Sequence, residues 1–151
     1  MSNSILKLPR LLGVLLFLMS SGVLNALEFS DGFVRGLPPT QKNTAAFFTV
    51  NNSAASDWTI TAVASNAAER IEIHRHEHSN GMMAMRKLES ITVKAGSSLE
   101  FAPGGLHLML MGLSSPLREG DRVRLNFTSA EGDTVVADFP VVSVVNEHHH
   151  H

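Results

Sequence analysis

The sequence contains no cysteine, and that one absence removes several chemistries together. Thiol redox, cysteine nucleophiles, thiolate zinc sites and blue-copper electron transfer all need a sulfhydryl. Exported proteins often use disulfides, and this chain can form none. Long hydrophobic runs are scarce as well. The unbroken one, Leu11 to Met19, is too short for a bilayer span, which needs roughly 20 apolar residues. Positive charge is thin: twelve Lys and Arg stand against fourteen Asp and Glu, a net charge of −2. No basic stretch offers a footprint for nucleic acid. Helical periodicity is almost missing, and no Ser/His/Asp constellation, phosphate loop or paired-carboxylate pattern stands above background. An enzyme is therefore not expected.

Both ends of the chain are set aside before the fold is read. Lys7 and Arg10 precede the apolar run, and the small residues Ser20, Ser21 and Gly22 follow it. That order of basic start, short apolar stretch and small-residue exit is the layout of a secretory signal peptide, expected over residues 1–26. Leu24 is a poor fit at the −3 position, and Gly22 is the alternative exit. With no Cys at the exit, a lipidated anchor is not expected. The terminal "NEHHHH" reads as a purification-tag remnant over 147–151. Residues 27–146 are one domain's worth of chain, enough for a single core. They carry ten Lys/Arg and thirteen Asp/Glu, a net charge near −3.

That span reads as short strands separated by turn residues. "TAAFFTV" (44–50) and "DWTITAV" (57–63) flank the polar cluster "NNSAAS" (51–56). "ERIEIHRH" (69–76) alternates, with Ile71 and Ile73 on one face and Glu72, His74 and His76 on the other. "MMAMRKL" (82–88) follows "SNG" (79–81), which is hairpin chemistry. Residues 90–103 supply two short pieces around Ala95–Gly96, and "DRVRLNFTS" (121–129) and "TVVADFPVVSVV" (134–145) follow. Pro140 inside the last run points to an edge position or a break. Many short strands at this spacing predict a single all-β domain, an antiparallel β-sandwich or barrel. Trp58, Phe47 and Phe48 are expected in its core, and "LPP" (37–39) as a rigid turn.

One strand raises a question of chemistry. In "GGLHLMLMGL" (104–113), Leu106, Leu108 and Leu110 alternate with His107, Met109 and Met111. The leucines account for a core face, so the other face carries an imidazole and two thioethers toward the solvated side. His107 and Met109 project from one face with Cα atoms ~6.6 Å apart, which lets both reach one ion. His74 and Met85 join them if their strands are neighbours. Imidazole with thioether, and neither carboxylate nor thiolate, favours Cu(I) over zinc, magnesium or calcium. Methionine in strands is commonly core filler, and "HRHEH" (74–78) also reads as a solvated polar edge. The pattern alone leaves both readings open. The same holds for His76, His78, Met82 and Met83, either hairpin packing or a weaker auxiliary site.

The spacing His-x10-Met-x21-His-x-Met, filled by His74, Met85, His107 and Met109, resembles the motif of the PCuAC family of periplasmic copper chaperones. The likeness extends through residues 32–52, 67–74, 81–96, 104–113 and 117–129. It implies a cupredoxin-like β-sandwich, one Cu(I) per chain on those four ligands, and a periplasmic monomer that acts as a carrier. The implied acceptor is a cytochrome c oxidase subunit, for its dinuclear copper site, or a thiol-bearing assembly chaperone. Copper scavenging or tolerance is the alternative role, and a metal-free interaction module a more distant one. Met111 lies one pleat further on, roughly 13 Å from His107, and is expected beside the site, not in it.

Overall fold

The structure is a computed structural model and describes residues 27–143. The expected signal peptide (1–26) and tag remnant (147–151) lie outside the described residues. The chain forms ten strands: β1 (Leu27–Gly36), β2 (Asn43–Asn52), β3 (Trp58–Ala64), β4 (Ala68–Ser79), β5 (Met82–Leu88), β6 (Ile91–Val93), β7 (Ser98–Phe101), β8 (Leu106–Leu113), β9 (Arg122–Ser129) and β10 (Thr134–Ser143). Their order is β5-β4-β8-β2-β1-β10-β9-β3-β6, with β7 paired to β2 beside β8. The path folds into two layers. One holds β5, β4, β8, β2, β7 and β1, and the other holds β10, β9, β3 and β6.

The predicted β-sandwich is what forms, with one departure from its expected antiparallel character. β1 and β10 run parallel, through Val34–Val141, Arg35–Val142 and Gly36–Ser143. Period-2 patterning identifies strands but carries nothing about the direction of a partner. β10 pairs with β9 through Pro140 and with β1 from Val141 onward. Proline has no N–H for a ladder, yet β10 runs unbroken through Pro140 and lies between β9 and β1, so neither the expected edge position nor a break is found. Val141 bonds on the β9 side as well, donating to the Asp121 carbonyl at 2.8 Å, so β1 pairing begins before the other neighbour is left.

The layers are joined by aromatic packing. Phe29 of β1 stacks on Phe127 of β9 at 4.6 Å between centroids, and Phe48 of β2 on Phe139 of β10 at 5.2 Å. Phe101 closes the other side of Phe48 at 4.4 Å. Leu106, Leu108 and Leu110 enter this core as expected, and Trp58 is buried there too. A bulge in β1 between Ser30 and Phe33 lets the backbone pass close to the core. A Cβ on Gly32 would lie 2.3 Å from the Phe139 ring, so only glycine fits there.

The β4–β5 hairpin turns at Asn80 and Gly81, both with positive φ (51° and 77°). Two residues of that conformation make the tight turn that Asn-Gly favours. This fixes the register as Ser79–Met82, His78–Met83 and His76–Met85. β8 pairs with β4 only from Ala68 to Arg75, so the hairpin tip overhangs the sheet.

Candidate metal centre

The site grows from the central position of β8. Its leucines point into the core, and its other face is met by β4 on one side and β2 on the other. His107 lies directly opposite His74, and Met109 lies between Glu72 of β4 and Ala45 of β2. The His74 and His107 rings are 5.7 Å apart, edge to face. Three of the four predicted residues therefore meet on adjacent strands.

Met85 stands one rung further out, opposite His76, while His74 faces Lys87. A cleft of about 210 Å³ gathers Met85, His107 and Met109 with His76, Arg35, Ala45, Phe47, Pro103 and Gly104. His74 is not among its walls and borders it through His107. His76 is: its ring is 5.1 Å from that of His107. The motif spacing alone did not select His76.

Each of the two opposed imidazoles has one nitrogen already held. His74 Nε2 is 2.8 Å from Glu72 Oε2, and a carboxylate accepts, so this nitrogen carries the proton. His74 Nδ1 is buried and without a hydrogen-bond partner, and in the neutral ring it is a bare lone pair. His107 Nδ1 is 3.2 Å from the Gly105 carbonyl oxygen, which also only accepts, and its Nε2 is left unprotonated. Metal-bound histidines are commonly held in this way, with the second nitrogen donating to a carboxylate or carbonyl. Among the described residues, no three His, Cys, Asp or Glu side chains form a group able to hold a metal. A metal here needs the thioethers, and that donor set suits a soft ion.

The electrostatics favour the neutral form of His107 and the charged form of Glu72. Burial pushes the His107 imidazole below its ordinary value, and the nearby His76, His74 and Arg35 act in the same direction, against the Gly105 hydrogen bond. Glu72 is held below the usual carboxylate range, first by the His74 hydrogen bond and then by the Lys87 and Arg70 charges. Its Oε1 takes Arg70 Nε at 2.9 Å, with Lys87 Nζ at 3.7 Å. Met111 is used elsewhere: Arg70 Nη2 donates to its sulfur at 3.0 Å.

Two expectations change. His107 was expected on a solvated face, but it is only 3% exposed. The hairpin residues His76 and Met85 and the Pro103–Gly104 turn roof over that face. Phe47 was expected in the core beside Phe48. It points to the opposite side of β2, lining the cleft 6.4 Å from the His107 ring, with the Arg35 guanidinium 5.2 Å above it. Strand alternation alone separates these neighbours, since consecutive residues cannot share a face. The motif spacing does not mark Glu72, although its place two residues before His74 puts it on the same face.

A family model described as "Putative lipoprotein LpqE-like" matches residues 27–141. The chain belongs to the LpqE-like family. This is the PCuAC-type family that its sequence resembles. The LpqE-like chain is 35% identical over 99 residues to "Putative lipoprotein Lxx21020" of Leifsonia xyli, covering 65% of this chain and 60% of that protein. It is 28% identical over 86 residues to the uncharacterized protein RP573 of Rickettsia prowazekii, covering 56% and 48%. It thus spans 60% and 48% of the lengths of these relatives, less than two thirds of either. Its fold is that of the Cu(I)-bound DR1885 solution structure from Deinococcus radiodurans, with a TM-score of 0.64, 27% identity and 82% of each chain covered. The copper-bound PCuAC domain of PmoF2 matches with a TM-score of 0.64 and 18% identity over 78% of this chain and 93% of that one. Among the described residues, no helix is long and apolar enough to cross a membrane.

Proposed function

We propose that this LpqE-like chain is a copper-binding carrier of the periplasm that holds one Cu(I) on His74, Met85, His107 and Met109 and releases it to an acceptor. The observation that carries this reading is the opposed pair His74 and His107. Each has one nitrogen anchored to an acceptor, and in the neutral ring the other is a lone pair, beside the Met109 thioether. The likeness to Cu(I)-bound DR1885 supports copper as the cargo.

The geometry also suits release. All four ligands are uncharged, so an incoming thiolate replaces a thioether without a charged ligand having to leave a buried site. Met85 lies on the edge strand β5 and is 47% exposed, which makes it the ligand an acceptor meets first. The acceptor we favour is a thiolate copper site, either the dinuclear centre of a cytochrome c oxidase subunit or an assembly protein that supplies it. Copper stays Cu(I) throughout, and no redox partner is needed.

The test is an anaerobic Cu(I) titration, against a competing chelator, of protein lacking the terminal histidines. One tight equivalent is expected. His107→Ala and Met109→Ala should each weaken it by at least about 100-fold, and Met111→Ala should leave it within about twofold. Unchanged affinity in both of the first two variants would remove the site. Transfer is tested by mixing the loaded protein with a reduced oxidase copper domain, and copper that stayed on the carrier would refute the delivery role.

A further inference from the structure

The overhanging tip of the β4–β5 hairpin carries chemistry that the inner site leaves unused. The tight Asn80–Gly81 turn fixes His78 opposite Met83 and His76 opposite Met85. Side chains two apart on a strand share a face, so both pairs lie on the face that also carries His74. That face continues to His107, through the 5.1 Å contact with the His76 ring. Met83 is 56% exposed, and His78 is exposed too.

Directly opposed residues of an antiparallel pair have Cβ atoms about 4.5–5.5 Å apart. A soft ion with bonds of roughly 2.0 Å to nitrogen and 2.3 Å to sulfur fits across such a pair. The next rung, His76–Met85, follows after about 6.8 Å along the strand. No carboxylate stands on either rung. Glu77 points to the other face of the ribbon, where it pairs with Arg86 at 3.1 Å. The donor face is therefore all imidazole and thioether, unsuited to calcium or magnesium and suited to a monovalent soft ion.

We propose that His78 and Met83 form a second, weaker soft-metal site, an outer station from which Cu(I) passes by way of His76 and Met85 to the inner site. This rests on the inner-site reading above. The transfer is ligand exchange alone: each imidazole or thioether that binds the ion displaces another, and no electron moves.

The experiment uses Ag(I), a soft ion that does not change oxidation state here, and protein lacking the terminal histidines. It follows methionine ε-methyl and histidine ring signals by NMR. The Met109 and Met85 methyls should move over the first equivalent. Met83 and the His78 ring should move over a second equivalent bound at least about tenfold more weakly. His78→Ala with Met83→Ala, both at exposed positions, should end the titration at one equivalent and leave the Met109 shift intact. The same double variant should load the inner site from a Cu(I)–chelator complex at least about threefold more slowly, with unchanged final affinity. A still Met83, a second equivalent that survives the double variant, or an unchanged loading rate would overturn the proposal and leave the inner site standing. A Met109 methyl that never moves would instead remove the inner site, and the outer station with it.

Discussion

Glu72 touches no proposed ligand atom, yet the structure makes it decisive for His74. Its Oε2 accepts from His74 Nε2 at 2.8 Å, and this fixes which nitrogen keeps the proton and how the ring is turned. Two substitutions separate its contributions. Glu72→Gln keeps a carbonyl acceptor at about the same place and loses the negative charge. Glu72→Ala loses both. Removing such a partner of a metal-bound histidine typically costs 10–100-fold in affinity. Glu72→Ala should therefore weaken Cu(I) binding by about 10–100-fold, and Glu72→Gln by less, about threefold to tenfold, because a neutral acceptor still orients the ring. Arg70 and Lys87 also lose their partner in both variants, but exposed ion pairs contribute little. Chelator competition under anaerobic conditions measures the series, with Arg70→Gln as a control expected to stay within about twofold. Should Glu72→Ala bind copper as tightly as the unaltered protein, His74 would not be held for metal through Nδ1. Should Glu72→Gln fall as far as Glu72→Ala, the charge and not the orientation of the ring would be the governing factor.

Ag(I) should displace Cu(I) from protein lacking the terminal histidines, whereas Zn(II) and Ca(II) should not. Stoichiometric displacement by zinc would end the His/Met assignment. Because His107 sits below its ordinary imidazole value, protons should begin to compete with copper there only below pH ~6.5. Affinity measured across pH 7.5 to 5 should fall toward the acid end, and a flat profile would exclude the histidines as ligands. The same shift bears on the metal-free fold. A depressed folded value means that the unfolded chain takes up the proton first, so the His107 contribution is complete above pH ~6.5 and is lost as pH falls toward the folded value. Urea midpoints should accordingly drop with pH, less steeply in His107→Gln, and an identical slope in both would refute this. Phe127, fully buried and packed on Phe29 and Phe48, should cost about 3–5 kcal/mol when changed to Ala, read by chemical denaturation.

Most strands could be read from the sequence because their alternation is clean and their punctuation strong. Residues 82–88 and the Asn-Gly turn before them are the clearest case, since both the run and the turn type are local properties. The parallel pairing of β1 with β10 could not be read, because it joins residues more than a hundred positions apart with no local signal of direction. The site was legible as composition. Within residues 27–146, every histidine (74, 76, 78 and 107) and every methionine (82, 83, 85, 109 and 111) falls between positions 74 and 111. Register was the missing quantity. Spacing cannot show that the hairpin sets Met85 against His76 and the β8 pairing sets His74 against His107. Nor can it show that the roof formed by Met85 and the Pro103–Gly104 turn buries His107. Glu72 and Phe47 acquire their roles only after that register is known.

The distribution of donors across the sheet has a mechanical consequence. β8 is hydrogen-bonded on both sides, to β4 and β2, and its leucines are locked in the core. Met109 therefore sits on backbone paired on both sides, and His107, one residue before the β2 pairing begins, is paired to β4 opposite His74. β5 pairs with β4 alone, and residues 82–87 along it are exposed. Backbone openings are easiest at such edges and hardest at central strands. An ion shared between the two strands thus has one ligand set that holds its position and another that can swing away. If copper binds as proposed, loss of Met85 would open a coordination position while His107 and Met109 kept hold of the ion, so an acceptor could bind before the carrier let go. A site with all four ligands on central strands would have to release the ion whole. One with all four on the hairpin would have little structure to hold it.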